Sequence, residues 1–365
     1  MSAKKPFTLT KEILIPTISK GFAHVGFLFG AGTSYEAGYP LMSGLTKIVA
    51  SKLSPNDIGI IETAIDKFNK ESDIKYNIND KFPDVEILLN MISDLKAISG
   101  YYTVSYNLEQ KLRKVIYETL KNVQNPNLEY HVKFLDFLKN RIGINSIPFW
   151  IFTTNYDLLF ELASSNCKLN IENGFCGISR RFFDLDCLTR IQGYYKPQKT
   201  RRMIPFEEHK EAHLKLCKLH GSLSWYKNSE NDVLELCDSS LVPPDYHEVM
   251  IYPERKKLDD TLAHPYDKFF VYANNILGNN VKYLLSSGYS YRDEHINDRL
   301  LLPKLRNGNL RIFALFETEP DCIKPLKDFS SFNYLTKDYI HFNGETIEYK
   351  NELWKFSKFI NYITE

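Results

Sequence analysis

Between Val25 and Pro40 an apolar run, Val25-Gly26-Phe27-Leu28-Phe29, breaks into Gly30-Ala31-Gly32 and then Thr33-Ser34. That order predicts a buried strand, a tight loop and the start of a helix. Glycines without a Cβ let backbone N–H groups approach a pyrophosphate, and a helix N-terminus adds partial positive charge there. The stretch therefore reads as a phosphate cradle, with a purely structural turn under a sheet as the alternative. The dehydrogenase fingerprint does not fit. The next glycine after Gly32 is Gly38, and no acidic residue stands about 20 positions on to hold a ribose.

After the loop, Leu41–Leu53 has helical spacing, and from residue 55 to 143 the pattern stays helical over Asp57–Asn69, Val85–Ile98, Leu108–Val123 and Tyr130–Leu138. This block predicts a helical insertion packed beside a sheet, with Pro83-Asp84-Val85-Glu86 as a capped helix start. Strand character returns at Ile147–Phe152 and leads into Thr153-Thr154-Asn155-Tyr156-Asp157 and a helix. Leu214–Leu219 alternates with a period of two and ends in His220-Gly221. Short strands at Val233–Cys237 and Val249–Tyr252, a helix at Tyr266–Ile276 and a buried strand at Val281–Ser287 follow, the last ending in Gly288-Tyr289-Ser290. A helix at Asp293–Leu305, a strand at Leu310–Leu315 and an aromatic helix at Leu353–Ile363 complete the chain. Strands alternating with helices predict an α/β fold, a Rossmann-like, doubly wound, mostly parallel sheet.

The chain has 365 residues, 43% hydrophobic and 14% aromatic, enough for a large core. Its 46 basic and 45 acidic residues leave a net charge of +1, so no bulk attraction to nucleic acid or membrane is expected. The one basic stretch, Arg180 to Arg202, interleaved with Phe182, Phe183, Tyr194 and Tyr195, reads as a solvated loop before a nucleic-acid contact. Without a run of about 20 apolar residues or a signal-peptide pattern, a cytoplasmic protein is expected. Cys167, Cys176, Cys187, Cys217, Cys237 and Cys322 form no C-x-x-C pair. Reduced thiols and no zinc are expected, with Cys217 and Cys237 as small hydrophobes in or beside strands.

Four predicted strand ends carry polar or glycine-rich turns: Gly30–Ser34, Thr153–Asp157, His220-Gly221 and Gly288–Ser290. In a parallel sheet such ends share one edge and meet over one crevice. Together, in order and spacing, they resemble the sirtuin superfamily across roughly residues 22 to 300, with Asn155 and Asp157 at its Asn-x-Asp element and His220 at its catalytic histidine. Pro40-Leu41-Met42-Ser43 stands in place of the Pro-Asp-Phe-Arg segment of deacylating sirtuins, and their paired C-x-x-C module is missing. The helical block, Thr153–Asp157 and Tyr289–Asn297 resemble instead the sirtuin-like NAD hydrolases of bacterial antiphage defence.

That resemblance implies a sirtuin-like NAD-binding domain over residues 1–300, with the helical insertion at about 55–143, and a C-terminal completion of the sheet over 301–365. It implies NAD as substrate, with Asn155, His220 and Asp157 as catalytic residues. Gly30, Ala31, Gly32, Thr33, Ser34, Gly288 and Ser290 would bind the dinucleotide, Ser34 and the loop backbone holding the diphosphate. His295 lies close to the ribose motif; the remaining histidines read as structural. A homo-oligomer is expected, with a ring-shaped ATPase translocase or a phage-derived trigger as partner. Leu353, Trp354, Phe356, Phe359, Ile360 and Ile363 offer either an interface or cover for the sheet. A protein deacylase and a non-catalytic NAD or ADP-ribose sensor are the competing readings.

Overall fold

The structure is a computed structural model that describes residues 7–20, 22–142, 148–189, 193–195, 206–208, 213–252 and 263–365. Its main sheet has nine strands: β1 (Val25–Phe29), β2 (Phe149–Thr153), β3 (Asn170–Glu172), β8 (His213–Lys218), β12 (Tyr283–Ser287), β13 (Arg311–Leu315), β14 (Phe332–Leu335), β15 (Tyr339–Phe342) and β16 (Glu345–Glu348). They lie in the order β16, β15, β14, β13, β12, β1, β2, β8, β3. From β14 to β3 every pairing is parallel, and β15 and β16 add an antiparallel hairpin at one edge. This is the mixed α/β, mostly parallel sheet expected from alternating strands and helices.

All five residues of β1 and of β2 are buried, because helices cover both faces and a central parallel strand has no wet side. Phe27, Phe29, Ile151, Leu216 and Leu285 pack on one face with the helices Glu129–Ile142, Leu159–Asn166 and Phe356–Thr364. Leu28, Phe152, Cys217 and Leu284 pack on the other with the helix Tyr266–Ile276. Phe356, Phe359, Ile360 and Ile363 are buried against the sheet, so the C-terminal helix uses its apolar face as cover rather than as an interface.

A second, antiparallel sheet contains β4 (Phe175–Cys176), β5 (Arg181–Phe183), β9 (Gly221–Lys227), β10 (Val233–Glu235) and β11 (His247–Met250), in the order β11, β9, β10, β5, β4. A separate ribbon pairs β6 (Gly193–Tyr195) with β7 (Phe206–Glu208). The helices Met42–Ser51, Pro55–Glu71, Val85–Leu95 and Tyr102–Lys121 form their own core. That core closes on Leu223, Met250 and Tyr252, so the helical block leans on the small sheet. Its start is well marked: Ser54 and Asp57 form a reciprocal capping box around Pro55.

Two expectations need correction. The segment after the glycine loop is one helical turn, Gly32–Tyr35, too short for a substantial dipole. The helix expected over Asp293–Leu305 is a short turn, Glu294–Ile296, then a π-turn, Asn297–Leu301, and a helix, Leu302–Arg306. Cys217 is buried within β8 as expected, whereas Cys237 is exposed because β10 ends two residues before it. Of the basic stretch, Arg181 pairs with Glu235, while Arg190, Lys196, Lys199, Arg201 and Arg202 lie outside the described residues.

Candidate functional site

The order β12, β1, β2, β8 sets four strand ends side by side, each followed by one of the turns singled out in the sequence. The chain leaves β1 towards β2 and later crosses back to β12 on β1's other side, so a topological switch point opens at the carboxyl ends. There the structure has a cavity of about 790 Å³. Ala31, Gly32, Ser34, Asn155, Asp157, His220, Gly288 and Ser290 line it, together with Glu317 beyond the end of β13. A second cavity, of about 270 Å³, sits at the amino ends of β1, β12 and β13 beneath Glu12–Pro16.

The glycines are required by contact between loops. A Cβ on Gly30 would stand 2.5 Å from Tyr289 Cα, and one on Gly32 would stand 2.7 Å from Gly288 Cα. Gly288 itself has φ +64°, and its N-terminal neighbour Ser287 accepts from Gly30 N–H at 3.2 Å. Gly32 N–H donates to Gly288 O at 3.0 Å. Two of the loop's N–H groups, those of Gly30 and Gly32, are thus engaged in joining β1 to β12. The sequence reading gave the same glycines to phosphate approach, with a structural turn under the sheet as the alternative, and the loop contacts favour a structural part for them.

Asn155 is placed by the register of β2 on β1. Thr153 Oγ1 donates to Phe29 O at 3.0 Å and accepts from Asn155 N–H at 3.0 Å. The Asn155 amide then donates through Nδ2 to Gly30 O at 3.0 Å and to Ser34 Oγ at 2.9 Å. Ser34 Oγ in turn donates to Asp157 Oδ2 at 2.7 Å, and Asp157 Oδ1 accepts from Leu159 N–H at 3.1 Å. A carbonyl and an already donating hydroxyl can only accept, so the amide's orientation follows from its partners. Oδ1 takes no part in these bonds, and Asn155 lines the cavity. Ser34 directs its proton to Asp157 and locks the Asn155–Asp157 pair while lining the cavity.

Beneath this chain lies Lys218, 2% exposed. Its ammonium pairs with Glu161 at 2.7 Å, donates to Ser222 Oγ at 3.0 Å and donates to the backbone carbonyl of Asp157. Burial pushes the Glu161 carboxyl up, and Lys218 pulls it back. Burial also raises the Tyr39 phenol, with Asp157 and Glu161 adding to it, so this ring in the cavity wall stays a neutral donor.

His220, at the end of β8, is buried, and Gly221 follows with φ +88° where a Cβ would meet Val249 O at 2.5 Å. His220 Nε2 lies 3.1 Å from His295 Nε2. Tyr291, at φ +58° and packed on Phe316 and Phe332, turns the chain so that Asp293 and His295 reach His220. Sequence reasoning missed Tyr39, Glu86, Arg292, Asp293 and Glu317, which all line the cavity. Glu86 read as a helix-start acid and Asp293 as part of a helix, so neither carried a separate signal. The cavity wall holds five carboxylates, Glu36, Glu86, Asp157, Asp293 and Glu317, against two cations, Arg292 and Lys355.

Residues 150–328 match the family model of the SIR2-like domain, a stretch just under half the chain. That stretch contains three of the four strand ends, and the glycine loop lies ahead of it. No curated protein matches the chain. A solved structure from work on the mechanism and regulation of Sir2 enzymes aligns with 97% of this chain and 98% of its own, at 10% identity and a TM-score of 0.39.

Proposed function

We propose that this chain hydrolyses NAD to nicotinamide and ADP-ribose at the carboxyl-edge cavity, and that it acts as an NAD-depleting effector of antiphage defence. The observation that carries the reading is the convergence of Asn155, Asp157 and His220 on one cavity above the glycine loop. At about 790 Å³ the cavity falls in the range of ligand pockets, roughly 300–1,000 Å³. The match to the SIR2-like domain supports an NAD-related activity.

Breaking the bond between nicotinamide and ribose passes through a cationic, oxocarbenium-like ribose. Carboxylates such as Asp157 stabilise that charge as it develops. Asn155 Oδ1 accepts a hydrogen bond from the attacking water or from the nicotinamide carboxamide. His220 takes the proton that water or a ribose hydroxyl gives up. The glycosidic electron pair leaves on nicotinamide, water oxygen bonds to the ribose carbon, and one proton is released. Ala31, Gly32, Ser34, Gly288 and Ser290 form the wall along which the dinucleotide lies, with Gly30 and Thr33 shaping the loop behind it and Arg292 and Lys355 as the cations for its diphosphate.

The same proposal includes a cytoplasmic homo-oligomer that answers to a ring-shaped ATPase or a phage-derived trigger. Exposed Ile98, Tyr102, Val104 and Tyr106 on the helical block supply a face for assembly. The scattered cysteines support the lack of a structural thiolate zinc. Incubating the protein with NAD, with and without an acylated peptide, tests the activity. Nicotinamide release that needs no peptide is expected; release only with peptide means a deacylase, and none at all a sensor.

A further inference from the structure

We infer that His220, Asp293 and His295 form a binding site for a divalent first-row transition ion, and that its occupancy switches off NAD cleavage. All three side chains are buried, and one ligand atom from each lies within 4.8 Å of the others. The two Nε2 atoms face each other at 3.1 Å, with ring centroids 5.2 Å apart. Two nitrogens bound to one tetrahedral ion at about 2.0–2.1 Å stand roughly 3.3 Å apart, so the imidazoles are nearly at ligand spacing already. An Asp293 carboxylate oxygen, within 4.8 Å of both, supplies the third ligand.

Two imidazoles and one carboxylate select against magnesium and calcium and suit zinc or iron(II). Asp293 and His220 line the cavity, which leaves the ion's remaining positions for water and gives it a path of entry. The proton now shared between the rings moves to an Nδ1 when the ion enters, so neutral imidazoles bind without a net change in charge. The His220 Nε2 lone pair then belongs to the ion and no longer accepts a proton. Ion capture is independent of what the cavity cleaves, whereas the inhibition rests on the NAD hydrolase reading. An NAD hydrolase endangers the cell that makes it, and a site that occupies the base itself is a direct brake.

The test titrates Co²⁺ into the full chain after chelator treatment and follows the visible bands of bound Co²⁺ and their loss on adding Zn²⁺. One ion per chain is expected. Loss of an outer partner alone costs roughly 10- to 100-fold in metal affinity, so His295→Ala is expected to weaken binding at least about 100-fold and Asp293→Asn at least about 10-fold. His295→Gln, of closer volume, serves if the alanine variant unfolds by circular dichroism. Zn²⁺ is expected to suppress nicotinamide release and a chelator to restore it. Absent Co²⁺ bands, a thiolate charge-transfer band, or equal affinity in the variants would overturn the site. Full NAD cleavage at Zn²⁺ saturation would overturn the brake. A metal-free protein without NAD cleavage refutes the hydrolase reading and the brake together, and the Co²⁺ bands still decide the site.

Discussion

Replacing Lys218 by Met leaves Glu161 buried and uncompensated. The Lys218 ammonium, 2.7 Å from Glu161 and 2% exposed, opposes the burial that pushes that carboxyl up, and Glu235 adds a like charge nearby. Breaking a buried pair from one side costs about 3–5 kcal/mol, whereas replacing both partners by apolar groups is often neutral or stabilising. Lys218→Met is therefore expected to lower stability by about 3–5 kcal/mol, and Lys218→Met/Glu161→Leu to return to within about 1 kcal/mol of the native chain. Activity should not return with it. In both variants the carbonyl of Asp157 loses the ammonium that holds it, and a misplacement of about 1 Å in a catalytic group costs about 10²-fold in rate. Urea unfolding followed by fluorescence of the three tryptophans measures the first effect, and nicotinamide release the second. A double variant as unstable as the single one would refute the ion-pair account. A stable double variant with native activity would refute the positioning role.

His131, wedged between Phe160 and Phe356, is held down to about pKa 4 by burial, against 6.5 for an ordinary imidazole. The unfolded chain therefore binds the extra proton first, so the stability held above pH 6.5 is lost as the pH falls towards 4, by about 2 kcal/mol at pH 5. His131→Phe should flatten that slope in urea unfolding at pH 7 and pH 5; an unchanged slope would count against it. Gly32→Ala should destabilise by about 1–3 kcal/mol, because its Cβ presses on Gly288, as well as disturb NAD binding. Native stability with only weaker NAD binding would restore phosphate approach as the sole reason for the glycine.

The sheet was legible because its central strands are short apolar runs that each end in a polar or glycine turn. Asn155, Asp157, His220 and the glycine loop could be assigned to one edge for that reason. Of the small antiparallel sheet, β10 and β11 were legible as short strands, but β9 was not: it begins at Gly221-Ser222-Leu223-Ser224, which reads as a turn until β10 and β11 pair with it. The period-two pattern of β8 implied one wet face, yet Lys215 and Lys218 are buried, paired with Glu172 and Glu161 from other segments. No local pattern shows such pairing. Likewise the meeting of His220 with His295, 75 residues apart, depends on the crossover from β8 to β12. The hairpin of β15 and β16 has only four residues per strand, with a single fully buried apolar residue, Ile340, too short a run to stand out as strands.

The most direct test of the central claim is nicotinamide release from NAD by the purified chain without any acylated peptide, compared with Asn155→Ala and His220→Ala. Loss of a general base costs about 10²- to 10⁴-fold, so His220→Ala should fall by that order, and Asn155→Ala, which loses the acceptor for water or carboxamide, should fall as well, with both proteins still folded by circular dichroism. A His220→Ala protein that cleaves NAD at the native rate with unchanged thermal stability would contradict the assignment of the reaction to this cavity.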